Sequence, residues 1–417
     1  MRVETRADVT SADNPLRALV YEKLTALDEN GRAIPGLAVS WEAQNGDRRW
    51  QFTLRRNVRF HDGTPLTAAA VVSSLTAGGC ESCPWTSLRA GGETVTFDLA
   101  DARPKFPAEL AQSRFAIQLP KAGAAAAGTG PFIWGAPRGP VQVLEAYDDY
   151  WGGRPYLNTI EWTPARSSRD QLVDLDLGRT DAIDIAPDQM RRVNKGKPMA
   201  SSPAELIAVV VRTGKAVLQD LRVRQALALS VDRAPIQAVV LQKQGEVAGG
   251  LLPNWISGYA SLLPTARDLG RAQQLVHEFG AVPPPLTIAV AEPDPVLQLI
   301  AERVALNARE CGITVQATAD REHSDLLVVR RALPSINPEV ALGAMSESFG
   351  PRVDPAAHSS QRLYEEERQM VSQALVIPLA WIPRACAIGG RVHNWSMTGD
   401  GRWRLESVWL DATEPSK

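Results

Sequence analysis

The side chains that could do chemistry are few and dispersed. Five histidines stand at positions 61, 277, 323, 358 and 393, and no two of them have metal-ligand spacing. No G-x-S-x-G elbow, P-loop or G-x-G-x-x-G occurs. His61 and Asp62 pair a base with a carboxylate, but His61-Asp62-Gly63-Thr64-Pro65 is a tight turn in which Asp62 can bond its own backbone. The pair reads as structure. Asp148-Asp149 reads as a solvated turn before Tyr150 rather than as paired carboxylates for acid/base work. No catalytic residue, metal site or cofactor is assigned, and the chain reads as non-enzymatic.

Four cysteines are present, two of them in Cys80-Glu81-Ser82-Cys83. A thioredoxin-like pair wants a strand before and a helix after, whereas Gly78-Gly79 precede this one and Pro84 follows. Metal binding would need a second pair. A local disulfide pinning a loop is the reading that suits an exported protein. Cys311 and Cys386 lie in apolar segments and are expected to be buried hydrophobes.

The elements that must position any site follow from periodicity. Trp50, Phe52 and Leu54 alternate with polar neighbours, the pattern of a strand with one buried face. Thr67 is placed to cap a helix carrying Val71, Val72 and Leu75. Leu221 to Val240 and Leu269 to Phe279 have helical spacing, the second stopped by Gly280. Strand Leu286 to Val290, helix Val296 to Glu310 and strand Ile313 to Val315 form a βαβ alternation. Trp41, Trp50, Trp151, Trp162 and Trp409 are expected in cores. With 45 basic and 47 acidic residues the net charge is −2, so no polyanion affinity is indicated and nucleic acid is not an expected partner. A chain of 417 residues with 44% hydrophobic content can bury two or three cores. No stretch approaches the roughly 20 apolar residues of a membrane span. Met1 to Arg6 is charged and no h-region follows, so the expectation is either an export signal already removed or a cytoplasmic protein.

The run Val20 to Leu75, VYEKLTALDENGRAIPGLAVSWEAQNGDRRWQFTLRRNVRFHDGTPLTAAAVVSSL, resembles the "YEPL…G…P.LA.SW…FTLR..V.FHDG.P..A.DV" stretch of the family 5 extracytoplasmic solute-binding proteins. These are the oligopeptide, dipeptide, nickel and glutathione receptors of ABC importers. Gly128-Thr129-Gly130-Pro131-Phe132, Tyr150-Trp151-Gly152-Gly153-Arg154-Pro155-Tyr156, Gly178-Arg179-Thr180-Asp181, Val223-Arg224-Gln225-Ala226-Leu227 with Asp232-Arg233, and Ile377-Pro378-Leu379 continue the match in order.

The resemblance implies an α/β, bilobal, type II periplasmic-binding-protein fold with an extra small subdomain. Its first lobe would be 1–38, 129–212 and 380–417, its small subdomain 39–128, and its second lobe 213–379. It implies a monomer that closes a cleft around a small solute outside the cytoplasm and then docks on an ABC permease. Ligand-lining candidates by similar placement are Trp85, Arg114, Trp255 and Tyr259. An indole offers a broad apolar face, and a guanidinium can clamp a carboxylate. Two departures bear on the solute. Where peptide receptors carry an aspartate for the ligand ammonium, Pro334-Ser335-Ile336-Asn337-Pro338 has no acid, leaving Glu339 or Asp354 as substitutes. The segment Glu339 to Arg362 is several tens of residues shorter than usual, a shortened second lobe. The alternative reading is a degenerate or signalling solute-binding domain without a transport role.

Overall fold

The computed structural model describes residues 1–5, 16–77, 83–120, 126–164, 167–349 and 359–411. It divides into two compact units, Met1–Ser201 with Ala385–Lys417, and Ser202–Arg384. The strands Lys197–Val211 and Val376–Ile388 carry the chain from one unit to the other.

In the first unit, strand Arg2–Thr5 runs parallel to Thr159–Pro164 on one side and Ala182–Ile185 on the other. Gln142–Ala146 and Phe132–Trp134 extend that sheet antiparallel. Trp162 is fully buried in its core, and its indole N–H donates to Thr5 Oγ1 at 2.5 Å.

The same unit holds an antiparallel sheet in the order Ala38–Gln44, Arg49–Leu54, Thr94–Leu99, Trp85–Gly91. The expected alternation is present: Trp50, Phe52 and Leu54 are buried, as are Val95, Phe97 and Leu99 on the neighbouring strand. Phe52, Phe97 and Phe106 meet edge-on at 5.0–6.2 Å between centroids. Each such buried ring is worth about 2–3 kcal/mol of transfer free energy. The opposite face carries charge, with Asp98 taking Arg49 Nε at 2.6 Å and Arg89 Nη2 at 2.5 Å. Helix Ala68–Ala77 covers the sheet, and Thr67 caps it by accepting the Ala70 N–H at 3.1 Å.

In the second unit, Leu326–Ala332 pairs antiparallel with residues 205–211 and parallel with Leu286–Val290, whose other neighbour is Val315–Ala317. The crossover helix Pro295–Glu310 buries Leu297, Ile300, Ala301, Val304 and Ala308 at three- and four-residue spacing. Asp294 caps it, accepting from Val296 N at 2.7 Å. Helix Leu269–Phe279 ends where Gly280 adopts φ 79°, a conformation glycine takes without steric cost.

Two expectations are corrected. The helix expected from Leu221 to Val240 stops at Ser230 and resumes as the short turns Arg233–Pro235 and Ile236–Val240. Pro235 has no N–H to bond the Val231 carbonyl. The buried Arg233 guanidinium serves the freed backbone instead, donating to the Ala228, Val231 and Pro378 carbonyls. Trp409 is 43% exposed rather than core, because its short strand turns Val408 inward; its ring stacks on His393 at 4.0 Å.

Cys83 is disulfide-bonded, while Cys80 lies outside the described residues. Cys311 and Cys386 are free and buried. No helix among the described residues is long and apolar enough to cross a membrane.

Candidate functional site

The sequence motifs converge on one carboxylate in the first unit. Glu22 Oε1 accepts from Tyr150 OH at 3.0 Å, and Oε2 accepts from Trp151 Nε1 at 2.8 Å and Thr129 Oγ1 at 2.9 Å. Burial pushes the Glu22 carboxyl above its ordinary range, and the three donors pull back against that. The Arg55 guanidinium lies 4.1 Å over the Trp151 ring. His61 Nδ1 accepts the Gly128 N–H at 3.2 Å, which assigns the proton to Nε2, donating to Gly130 O at 2.9 Å. Burial lowers the His61 pKa, so the neutral ring is favoured. A Cβ on Gly128 would fall 1.9 Å from Val20 O, so only glycine allows this approach. His61 and Asp62 are structural here: Asp62 Oδ1 accepts the Thr64 N–H at 3.0 Å within its turn. These residues form a satisfied polar joint that ties the Glu22, His61, Gly128–Gly130 and Tyr150–Trp151 segments of the unit together.

Trp85 and Arg114 are brought together through Phe115. The half-buried Trp85 ring lies 5.5 Å from Phe115 and 5.4 Å from Phe97, and the exposed Arg114 guanidinium lies 4.8 Å over the Phe115 ring. In the second unit Trp255 is half-buried, and its indole N–H donates to Pro203 O at 2.8 Å. Tyr259 is buried edge-on against Tyr364 at 5.5 Å and beside Glu367, a fully buried carboxyl that accepts the Leu251 and Leu252 N–H groups. Burial first, and then the Glu367 charge, raises the Tyr259 phenol pKa.

Asn337 is buried and caps helix Pro338–Phe349, its Oδ1 accepting the Val340 N–H at 3.1 Å. Glu339 sits in the first turn of that helix, and Asp354 lies outside the described residues.

Sequence reasoning missed Lys23. It is partly buried between Glu22 and the fully buried Leu24, and among the described residues its Nζ has no hydrogen-bond or ion-pair partner. Desolvation, reinforced by Arg402 and opposed by Asp400 and Glu22, lowers its pKa to about 8. The signal available was a lysine inside an otherwise apolar and hydrogen-bonded motif. A recess of about 450 Å³ on the small sheet, lined by Arg55, Arg56 and Arg59, is less open to a ligand. Arg56 pairs with Glu93 at 2.9 Å, Arg59 donates to Gly63 O, and Arg55 covers Trp151. No group of three or more His, Cys, Asp or Glu among the described residues could hold a metal ion.

The profile of bacterial extracellular solute-binding proteins, family 5, matches residues 32–329, and the chain belongs to that family. It is 27% identical over 319 residues to a probable D,D-dipeptide-binding periplasmic protein of Escherichia coli K12, covering 69% of this chain and 61% of that one. It is 25% identical over 351 residues to the nickel-binding periplasmic protein of the same organism, covering 74% and 67%. The matches to the curated relatives thus span about two thirds of their length or less. Among solved structures, Helicobacter pylori DppA in complex with the peptide STSA superposes with a TM-score of 0.83 at 17% identity, over 99% of this chain and 98% of that one. Staphylococcus aureus NikA in complex with Ni(L-His)2 gives 0.81 at 18%, over 99% of each. The fold is therefore the α/β fold of family 5 solute-binding proteins.

Proposed function

We propose that this chain is the solute receptor of an ABC importer, taking a peptide, a peptide-like molecule or a metal chelate outside the cytoplasm and delivering it to a membrane permease. The observation that carries the reading is the family match across residues 32–329. Relatives named for D,D-dipeptide, nickel and oligopeptide binding support the solute class. The protein acts as a monomer and performs no catalysis on its solute.

Within this reading 1–38, 129–212 and 380–417 are the first lobe, 39–128 its small subdomain and 213–379 the second lobe. Trp85, Arg114, Trp255 and Tyr259 are the solute-lining residues, the aromatic rings offering apolar faces and Arg114 a cation. Asn337 itself is committed to its cap, so recognition of a free peptide amino terminus at this point would fall to a neighbouring acid such as Glu339 in the first turn of the same helix.

The test is native mass spectrometry of the purified protein against the same sample denatured, followed by thermal denaturation with a panel of peptides and nickel chelates. A mass excess lost on unfolding, or stabilisation approaching roughly 2.7 kcal/mol at 100 times Kd, is expected. No adduct and no stabilisation by any panel member would overturn the receptor reading.

A further inference from the structure

Glu367 is an acid on the apolar face of its helix, Ser360–Ser372, where it shares the buried side with Leu363 and Met370. No part of it reaches solvent. A carboxyl taken out of water is costly unless hydrogen bonds replace its hydration, so its partners are the informative feature. Oε1 accepts the N–H groups of Leu251 and Leu252, the second at 2.9 Å. Those two residues are fully buried and lie between strand Glu246–Val247 and helix Asn254–Ser257, in no strand or helix of their own. Their N–H groups depend on this acceptor, since a buried backbone donor has to be paired. The fit is close: a Cβ on Gly250 would collide with Glu367 Oε1 and Leu263 Cδ1, and one on Gly249 would lie 2.7 Å from Leu263 O. Beyond helix Asn254–Ser257 the chain turns at Gly258, φ 72°, and presents Tyr259. The Tyr259 hydroxyl and Glu367 Oε2 are both buried, and among the described residues neither meets a hydrogen-bond partner except the other. The Tyr259 ring rests edge-on against Tyr364 of the Glu367 helix at 5.5 Å. One carboxyl therefore grips the segment on both sides of Trp255. Its other ties reach the surface: the Asn254 N–H donates to Glu246 Oε1 at 3.2 Å, and the half-buried Trp255 indole donates to Pro203 O at 2.8 Å.

We propose that Glu367 is a positioning residue of the solute site, fixing the Gly249–Tyr259 segment on both sides of Trp255 and so setting where the solute meets the indole. The proposal rests on the receptor reading and adds a residue that acts through Trp255 and Tyr259. Glu367 is fully enclosed and makes no contact with the solute itself. Contact residues held in place by buried hydrogen bonds lose less freedom on binding, so loosening them weakens binding without removing a contact. The grip needs an oxygen that accepts two N–H groups and a second atom that pairs with the phenol. An amide of the same shape meets both needs, its oxygen accepting and its NH2 donating to the Tyr259 oxygen, whereas a hydrocarbon meets neither.

The experiment uses the full chain with 5-fluorotryptophan at its 11 tryptophan positions and follows the Trp255 ¹⁹F resonance, assigned by its loss in Trp255→Phe. The variants are Glu367→Leu, Glu367→Gln and Tyr259→Phe, each checked for folding by thermal denaturation. Their affinities for the dipeptide Met-Leu and for a nickel–histidine chelate are measured by calorimetry on unlabelled protein. In Glu367→Leu we expect a displaced or broadened Trp255 resonance and a loss of about tenfold or more in affinity for whichever probe binds wild type. Glu367→Gln should restore both, with affinity within about threefold of wild type. Tyr259→Phe releases one side of the grip and should move the same resonance with a smaller loss of affinity, and it carries the test if Glu367→Leu does not fold. An unmoved Trp255 resonance with wild-type affinity, even alongside a lowered melting temperature, overturns the positioning role and leaves the receptor reading standing. If neither probe binds wild type, the positioning role is overturned, and the separate mass-spectrometric test decides the receptor reading.

Discussion

Glu22 and Lys23 are neighbours with opposite fates. Around Glu22, three donors from two distant motifs satisfy a carboxylate that burial would otherwise neutralise. Around Lys23, Asp400 is engaged by Thr398 and Arg402, and among the described residues the partly buried lysine makes no side-chain hydrogen bond or ion pair, although the Asp400 and Glu22 charges still act on it. The first arrangement stabilises the fold and leaves nothing over for a ligand. The second costs stability, and a protein tolerates such a cost where something else is gained. The difference is one of partners: neighbouring ionisable residues of one motif meet different surroundings in the fold.

The comparison breaks first at the satisfied joint. Glu22→Ala strands the Trp151, Tyr150 and Thr129 donors, and we expect a loss of about 4 kcal/mol in urea unfolding. A loss below about 1 kcal/mol would remove the joint from the account. Gly128→Ala should cost about 3 kcal/mol by the same measurement, because the added methyl meets the Val20 carbonyl and the backbone has to shift.

The unpaired side should respond with the opposite sign. Lys23→Met removes an uncompensated charge, and at pH 7 we expect it to be stabilising by about 1 kcal/mol. A destabilised Lys23→Met would show a counter-ion within the fold. The pH dependence sharpens the point. The folded pKa of about 8 lies below the ordinary lysine value of 10.5, so between them the unfolded chain binds the proton that the folded chain has released. The penalty is fully present below pH 8 and is relieved as pH rises towards 10.5. Wild type should therefore gain stability relative to Lys23→Met across that window, and parallel stability curves would sink the assignment. The smallest effect is expected at Asn337. Asn337→Ala should cost about 1 kcal/mol as a lost cap, whereas Asn337→Asp should be nearly neutral, because either side chain accepts the Val340 N–H.

Much of the local structure was legible in the chain. Alternation at Trp50, Phe52 and Leu54, the cap at Thr67 and the stop at Gly280 each act within a few residues, so the pattern suffices to read them. Legibility failed where a distant partner intervened. The break after Ser230 is legible in Pro235, but the way Arg233 serves the freed carbonyls by also reaching Pro378, 145 residues away, is not. Asn337 could be read as a missing carboxylate, but its work as a cap shows only in the hydrogen bond to Val340.

By itself the sequence determined the family, because its motifs must recur in a set order for the same joint to form, and it determined the strands and helices whose periodicity is local. Only the tertiary structure decided what individual charges do. Glu22 and Lys23 are both ionisable residues in one four-residue motif, and nothing in their spacing tells them apart. Their difference arises from Thr129, Tyr150 and Trp151 arriving at one and from Asp400 turning to Arg402 and Thr398 instead of the other. Desolvation and pairing are properties of the folded surroundings, set by residues more than a hundred positions away.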